Sequence, residues 1–422
     1  MASAILHIKD SYYFEVPKAL LPCNYGTKSE FPELWVQLDD QFQAWEASRL
    51  YDEFKSEMNA PAALLGNSKR QVLDEYEHWK HEDHANAGKP FDRFLEEHHA
   101  KDWFAEQFAL RGVPTMWSDA KVRAGDVELF KQDATSAWSP QKIHDYNEHL
   151  SGKILIPQPF GELRNFYERE SGFAISRFMI IEVVIALILW AVFAWLGRQT
   201  EEGERPRGRL WNLLEAVVVF IRDQVARPAI GEHEADRFVP LLLTLFFFIL
   251  GCNLFGMLPW LGAPSGELAV TAGMACVTFG AVVLFGCRKF GLIGFILNQV
   301  PSMDLPWFMA IFLKPMILVI ELLGLVIKHA VLAVRLLANM VAGHMTLLAI
   351  MGLTFSIQAV MEFMPAESPH PGLDALAWSG TAVVVVLGST VLSVLELFVA
   401  FLQAYIFTFL SALFIGAAVH HH

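Results

Sequence analysis

Apolar and polar residues are not spread evenly along this chain. From residue 1 to about residue 173 charges, aromatics and short apolar runs alternate, whereas almost everything after Phe178 is apolar. The run from Phe178 to Gly197 is broken only by Glu182. At a rise of 1.5 Å per residue it is long enough for one helix to cross a hydrocarbon layer of roughly 30 Å. Two more runs of spanning length cover about 239–258 and 268–287. Between the first and second lies Arg198 to Arg237, with seven arginines, in which Leu210, Leu213, Leu214, Val217, Val218 and Ile221 recur at helical spacing. That pattern predicts an amphipathic helix over about 207–226, lying on the membrane surface.

Two further apolar regions, about 307–353 and 375–419, each exceed 40 residues. As a single helix each would be about 60 Å long, twice the hydrocarbon thickness. Each therefore holds two ordinary spans in a hairpin, or one long helix steeply tilted and shielded by protein. No Gly/Pro-rich turn cuts the middle of either, which favours tilt. The predicted fold is all-α. A polytopic membrane body, 174–422, combines upright helices with two long tilted ones and follows a soluble-looking extension, 1–173. Within 35–111, Phe42, Trp45, Leu50 and Phe54 are spaced as on a helix, so the extension reads as mostly helical.

Composition sharpens this picture. The 422 residues are 54% hydrophobic, more than ordinary soluble domains. A formal charge of −13 without a Lys/Arg-rich patch beyond the juxtamembrane run argues against nucleic acid as a partner. Cys23, Cys252, Cys276 and Cys287 show neither CxxC spacing nor a pairing pattern and read as small apolar residues. The first thirty residues lack a continuous apolar stretch of the secretory kind. The loops are asymmetric: seven arginines follow the first span and Arg288-Lys289 follows the third, whereas Pro259–Glu267 and Thr354–Asp374 hold no Lys or Arg. By the positive-inside rule this puts the extension outside and the C-terminus in the cytoplasm of a bacterial inner membrane, with the mitochondrial inner membrane as the alternative.

The informative residues in the two long segments are those that are costly in lipid: Glu321, Lys328, Arg335, Asn339, His344, Glu396 and Gln403. A central Arg or Lys costs about 2.5 to 3.5 kcal/mol, so such residues persist where they face protein, water or a partner. At about 100° per residue, Glu321, Lys328 and Asn339 fall within about 40° of Arg335 and form one polar stripe. His344 lies about 180° round and is expected to face the last helix, where Glu396 and Gln403, seven apart, form a second stripe. A guanidinium stays charged at any working pH, so Arg335 attracts carboxylates, displaces their protons and repels cations without handing on a proton itself. Carboxylates and imidazoles can relay protons. Arg335 is thus the candidate gate, Glu321, His344 and Glu396 candidate relays, and Asn339 and Gln403 candidate orienting groups. The alternative is buried polar glue between helices, and Lys328 in particular reads as a structural partner of Glu321.

The run Val334-Arg335-Leu336-Leu337-Ala338-Asn339-Met340-Val341-Ala342-Gly343-His344 closely resembles the signature of the ATP synthase subunit a family, with Asn at +4 from the Arg and Gly with His or Glu at +8 and +9. The similarity extends back to Glu321 and Lys328, forward to Glu396 and Leu402-Gln403-Ala404-Tyr405-Ile406-Phe407, and takes in Asn253-Leu254-Phe255-Gly256-Met257-Leu258-Pro259. It covers roughly 174–418. The resemblance implies that Arg335 faces the essential carboxylate of each subunit of a c-ring between two half-channels. It places Asn339, His344, Glu396 and Gln403 along the half-channel open to the outside and Glu321 along the cytoplasmic one. Glu396 with His344 looks like a swapped version of the family's Glu/His pair. It further implies peripheral-stalk b subunits and the rest of an F-type ATP synthase as partners, a bilayer setting, H+ rather than Na+ as the ion, no cofactor and no catalytic site in this chain. The chain departs from the pattern at His329-Ala330, where relatives often have Pro, and in its long extension.

Two rival functions make different demands. A secondary ion-coupled transporter predicts an internal repeat between halves, and none is visible. A membrane anchor for the extension leaves seven polar residues at matching spacings in apolar helices without a purpose. The extension carries no nucleophile constellation or phosphate loop. A docking role, contacting an additional subunit or another enzyme copy, is expected of it. His78, His81 and His84 fall three apart, with His98 and His99 beside Glu96 and Glu97; they suit either a metal site or a solvated helix face. His420–His422 are a native end or a remnant tag.

Overall fold

The computed structural model describes residues 10–56, 68–82, 86, 89–99, 103, 106, 110, 127–133, 136–163, 166–167, 169–201, 208–232, 234–258, 261–299, 307–362 and 371–419. They fall into two units, Ser11–Ser176 on one side and Met1–Asp10 with Arg177–His422 on the other. His84 and His420–His422 lie outside the described residues, as do Pro259 and residues 363–370 of the base-free stretch.

Short helices and two hairpins build Ser11–Ser176. The helices are α1 (Glu33–Gln37), α2 (Asp40–Ser56), α3 (Lys69–Glu82), α4 (Phe91–Phe94, continued by a π-turn to His99), α5 (Val127–Gln132) and α6 (Pro140–Leu150). Helix α2 is flanked by two aromatic cores. Leu50 and Phe54 pack with Tyr76 and Trp79 of α3 and Phe91 and Phe94 of α4. Phe42 packs instead with Val36, Phe130 and Trp138. A buried carboxylate starts α2: Asp39 Oδ1 accepts from the amides of Gln41 and Phe42 at 2.8 and 3.1 Å, satisfying donors that a helix start leaves free. Its Oδ2 accepts from Tyr146 Oη of α6 at 2.6 Å and pairs with Lys142. Burial and that hydrogen bond to Asp39 raise the Tyr146 pKa above its ordinary value. Burial does the same to Tyr76. Lys28 reaches under Phe130 and donates to Asp133 O and Ser136 Oγ at 3.0 and 2.8 Å, while its own burial lowers its pKa.

The extension is not purely helical. Strand β1 (Tyr13–Glu15) pairs antiparallel with β2 (Lys153–Leu155), and β3 (Gly161–Leu163) with β4 (Arg169–Gly172). The first pairing joins segments far apart in sequence, so no local pattern announces it. His78 and His81 lie on α3, and His98 and His99 in the π-turn after α4. Among the described residues no three His, Cys, Asp or Glu side chains gather as a metal cluster.

The second unit is the membrane body. It consists of α7 (Arg177–Glu201), α8 (Arg209–Phe220, continued by a π-turn Ile221–Ala226 and a last turn Arg227–Ile230), α9 (Ala235–Gly256), α10 (Leu268–Asn298, kinked at Gly291), α11 (Trp307–Glu362) and α12 (Pro371–Val419). Five of its helices are long and apolar enough to cross a membrane. The 56 residues of α11 and the 49 of α12 run without a break, so neither region is the hairpin of two short spans. At 1.5 Å per residue they measure about 84 and about 74 Å. The core lies where α9, α10, α11 and α12 meet, with Leu242, Ile249, Val282, Leu332, Leu336, Ala404 and Phe407 buried together. The apolar outer faces of α7, α11 and α12 are exposed, as lipid or a partner requires.

Candidate functional site

The polar residues of α11 and α12 separate into two groups along α11, one on either side of Arg335. Glu321 and Lys328 lie seven residues apart on one face and approach to 3.9 Å, both partly exposed. Arg335 follows, about 21 Å along the axis from Glu321. Its side chain is exposed, and among the described residues it makes no ion pair or hydrogen bond. On the surface around it Val331 and Val334 are exposed apolar residues, while Lys328 and Asn339 continue the polar stripe to either side.

Beyond Arg335 the helices are tied by polar contacts. One turn on, Asn339 Nδ2 donates to Gln403 Oε1 of α12 at 2.7 Å. His344, on the other side of α11, meets Glu396 of α12, with Nδ1 and Oε1 3.0 Å apart. Its Nε2 lies 2.8 Å from the carbonyl oxygen of Gly256 in the last turn of α9. A carbonyl only accepts, so Nε2 carries a hydrogen. The remaining proton on the Nδ1–Oε1 line then belongs to the pair: imidazole with carboxylic acid, or imidazolium with carboxylate.

Two glycines make this geometry possible. A Cβ at Gly343 would come within 2.7 Å of Glu396 Oε1, so glycine leaves the carboxyl room to lie where it does against α11. A Cβ at Gly256 would run into Met340 Cε and lie 3.0 Å from Ala263 Cβ, so glycine also lets the end of α9 approach α11.

Asn253 of α9 belongs to the same group although the two polar stripes do not contain it. It is 2% exposed and donates from Nδ2 to Ala400 O of α12 at 3.2 Å. With Asn339, Glu396 and Gln403 it lines a cavity of about 20 Å³, large enough for one water molecule. Three buried polar atoms of that lining, Asn253 Oδ1, Glu396 Oε2 and Gln403 Nε2, have no hydrogen-bond partner among the described residues. They offer two acceptors and one donor, the complement of what a single water gives. The sequence signal for Asn253 is an amide in an otherwise apolar span.

Residues 178–416 match the sequence pattern of the family described as ATP synthase A chain. The chain belongs to that family. It is 39% identical to the ATP synthase subunit a of Myxococcus xanthus over 253 residues, 59% of this chain and 75% of that protein. It is 36% identical to that of Chloroherpeton thalassium over 288 residues, 67% and 78% of the two chains. The match to that of Anaeromyxobacter dehalogenans, 42% over 221 residues, spans 51% of this chain and 50% of that protein. All the candidate residues from Glu321 to Gln403 fall inside the region shared with the ATP synthase A chain family, and Ser11–Ser176 falls outside it.

Proposed function

We propose that this chain is subunit a, the stator of an F-type ATP synthase. In this reading it passes protons between two aqueous half-channels and a rotating c-ring, coupling the proton-motive force to rotation and to ATP synthesis by other subunits. Family membership supports the assignment to the complex. The observation that carries the mechanism is Arg335: a permanent cation exposed on an apolar wall, with hydrogen-bonding and titratable pairs on one side of it and a Glu–Lys pair on the other.

A carboxylic acid arriving on the ring beside Arg335 loses its proton, because a cation a few Å away favours the carboxylate. The released proton leaves by way of Glu321 towards the cytoplasm. On the other side the His344–Glu396 pair takes a proton from the outer phase, and a water held by Asn253, Gln403 and Glu396 hands it towards the ring. Asn339 and Gln403 hold α11 and α12 in register. The fixed charge repels cations that would otherwise run straight from one half-channel to the other. Lengths of about 84 and about 74 Å suit α11 and α12 to lie steeply tilted along the ring, with the ring and the bilayer covering their apolar faces. The peripheral-stalk b subunits hold the chain against rotation, and Na+ is the less favoured ion. The C-terminus is cytoplasmic and the extension lies on the outer face of a bacterial inner membrane.

Arg335→Ala tests this in membrane vesicles carrying the complete complex. The expected result is loss of both ATP-driven proton pumping and gradient-driven ATP synthesis, with the ring and the catalytic head still co-purifying. Near wild-type coupled activity would make Arg335 a structural residue and end the proposal.

A further inference from the structure

Helix α7 is the span least buried by the rest of the chain, yet it carries a carboxyl group. Glu182 lies five residues into the helix, about 7.5 Å beyond its first residue Arg177. A carboxylate there costs free energy unless it is hydrated, paired or protonated, so an acid kept in a span calls for a chemical use. Oxygen Oε1 of Glu182 is buried and has no hydrogen-bond partner among the described residues.

Its surroundings connect it to the site already described. One turn along α7, Ile185 is packed so closely on α9 that a Cβ at Gly251 would sit 2.7 Å from Ile185 Cγ2. Glu182 therefore lies against the final turns of α9, and Cys252 is within its electrostatic reach. Those same turns carry Asn253, which lines the cavity, and Gly256, whose carbonyl takes the His344 hydrogen bond. Glu182 and His344 thus lie at similar depth on two sides of one helix end. Towards the start of α7 the next acidic group is Asp10, whose Oδ1 accepts from the Phe178 amide at 3.2 Å and which also lies within electrostatic reach of Glu182. Among the described residues, the charged and titratable groups within electrostatic reach of Glu182 are Asp10 before the helix and Cys252 on α9.

We infer that Glu182 is a further proton-carrying residue of the outer half-channel, set between the membrane surface and the His344–Glu396 pair. The inference rests on the stator reading above. The neutral acid gives its proton to a water on the path towards His344, and the carboxylate left behind takes one back from the outer phase. One proton enters and one leaves in each cycle. The residue extends the outer path onto α7, a helix that the two polar stripes of α11 and α12 do not include.

The test uses the complete ATP synthase in sealed vesicles, with ATP synthesis followed as the outer pH is varied at fixed inner pH. Glu182→Gln keeps size and hydrogen bonding but cannot carry a proton, and Glu182→Asp keeps the proton chemistry. A several-fold loss in the Gln variant, deepest at alkaline outer pH and partly restored by Asp, supports the inference; the limiting outer pH then moves to more acidic values. A Gln variant that assembles and keeps both the wild-type rate and the wild-type outer-pH profile overturns it. If the Gln variant does not assemble, the Asp variant decides: a shifted outer-pH profile supports the inference and an unshifted one overturns it. Arg335→Ala run in parallel separates the two readings. Coupled transport that survives in Arg335→Ala fells the stator function itself, whereas a silent Glu182 beside an essential Arg335 fells only this inference.

Discussion

An imidazole and a carboxyl 3.0 Å apart, with the far ring nitrogen held on a backbone carbonyl, are placed to share a hydrogen without moving either side chain. The ring cannot turn over without giving up the Gly256 contact, so in the proposed path a proton passes by exchange along the Nδ1–Oε1 line. Glu396→Gln isolates that chemistry: the amide keeps the size and still donates to Nδ1, but it cannot give or take a proton. Coupled proton pumping should fall by roughly 100-fold, the lower end of what a positioned acid–base group contributes. Glu396→Asp should recover part of it, and assembly should be unchanged in both. Full activity in the Gln variant, measured as ATP-driven quenching of a pH-sensitive dye, would leave the pair a structural tie.

At the scale of the helices, the site depends on α9 ending close against α11. Gly256→Val would drive a branched side chain into Met340 and Ala263, and overpacking of this kind costs typically about 1–3 kcal/mol. The expected readout is a lowered melting temperature of the purified complex together with lost coupling; an unchanged melting curve would mean that the contact gives way freely. The spans are legible in the sequence because an uninterrupted apolar run of that length matches the thickness of a bilayer and would be insoluble elsewhere. The stripe through Arg335 is legible because helical angles can be counted, and the partner of His344 can be assigned to the last helix for the same reason. Asn253 is harder to read, since its importance comes from α12 and a cavity that neighbouring sequence does not encode. The pairing of Tyr13–Glu15 with Lys153–Leu155 is not legible at all, because three-residue strands carry no periodicity and their contact closes over the whole extension.

Across the whole molecule the two units rest on different physics. Ser11–Ser176 is held by aromatic cores and by the buried Asp39 with its partners Tyr146 and Lys142, the membrane body by helix packing. Tyr76 and Tyr146 both have pKa values raised above the ordinary 10.0, which ties the stability of the first unit to alkaline pH. Their neutral forms are favoured in the fold, so the stability they contribute is complete below that value and drains away as pH climbs through it. Between about pH 10 and about pH 12 the unfolding temperature of this unit should fall, and Tyr146→Phe should flatten the fall. Circular dichroism melts alongside phenolate absorbance would measure this, and a temperature that stays level across the range would refute it.

The bare guanidinium of Arg335 also has a consequence for how the chain comes into existence. Held on an apolar wall with no carboxylate among the described residues to meet it, the charge faces lipid until a partner covers it, at a cost of about 2.5 to 3.5 kcal/mol if central. The newly inserted chain is therefore an unfinished object, favoured to hold that charge near the headgroups until a partner covers it. In the proposed function, the charge that gates the working machine also makes its subunit hard to stockpile and ties its accumulation to the supply of the ring that covers it.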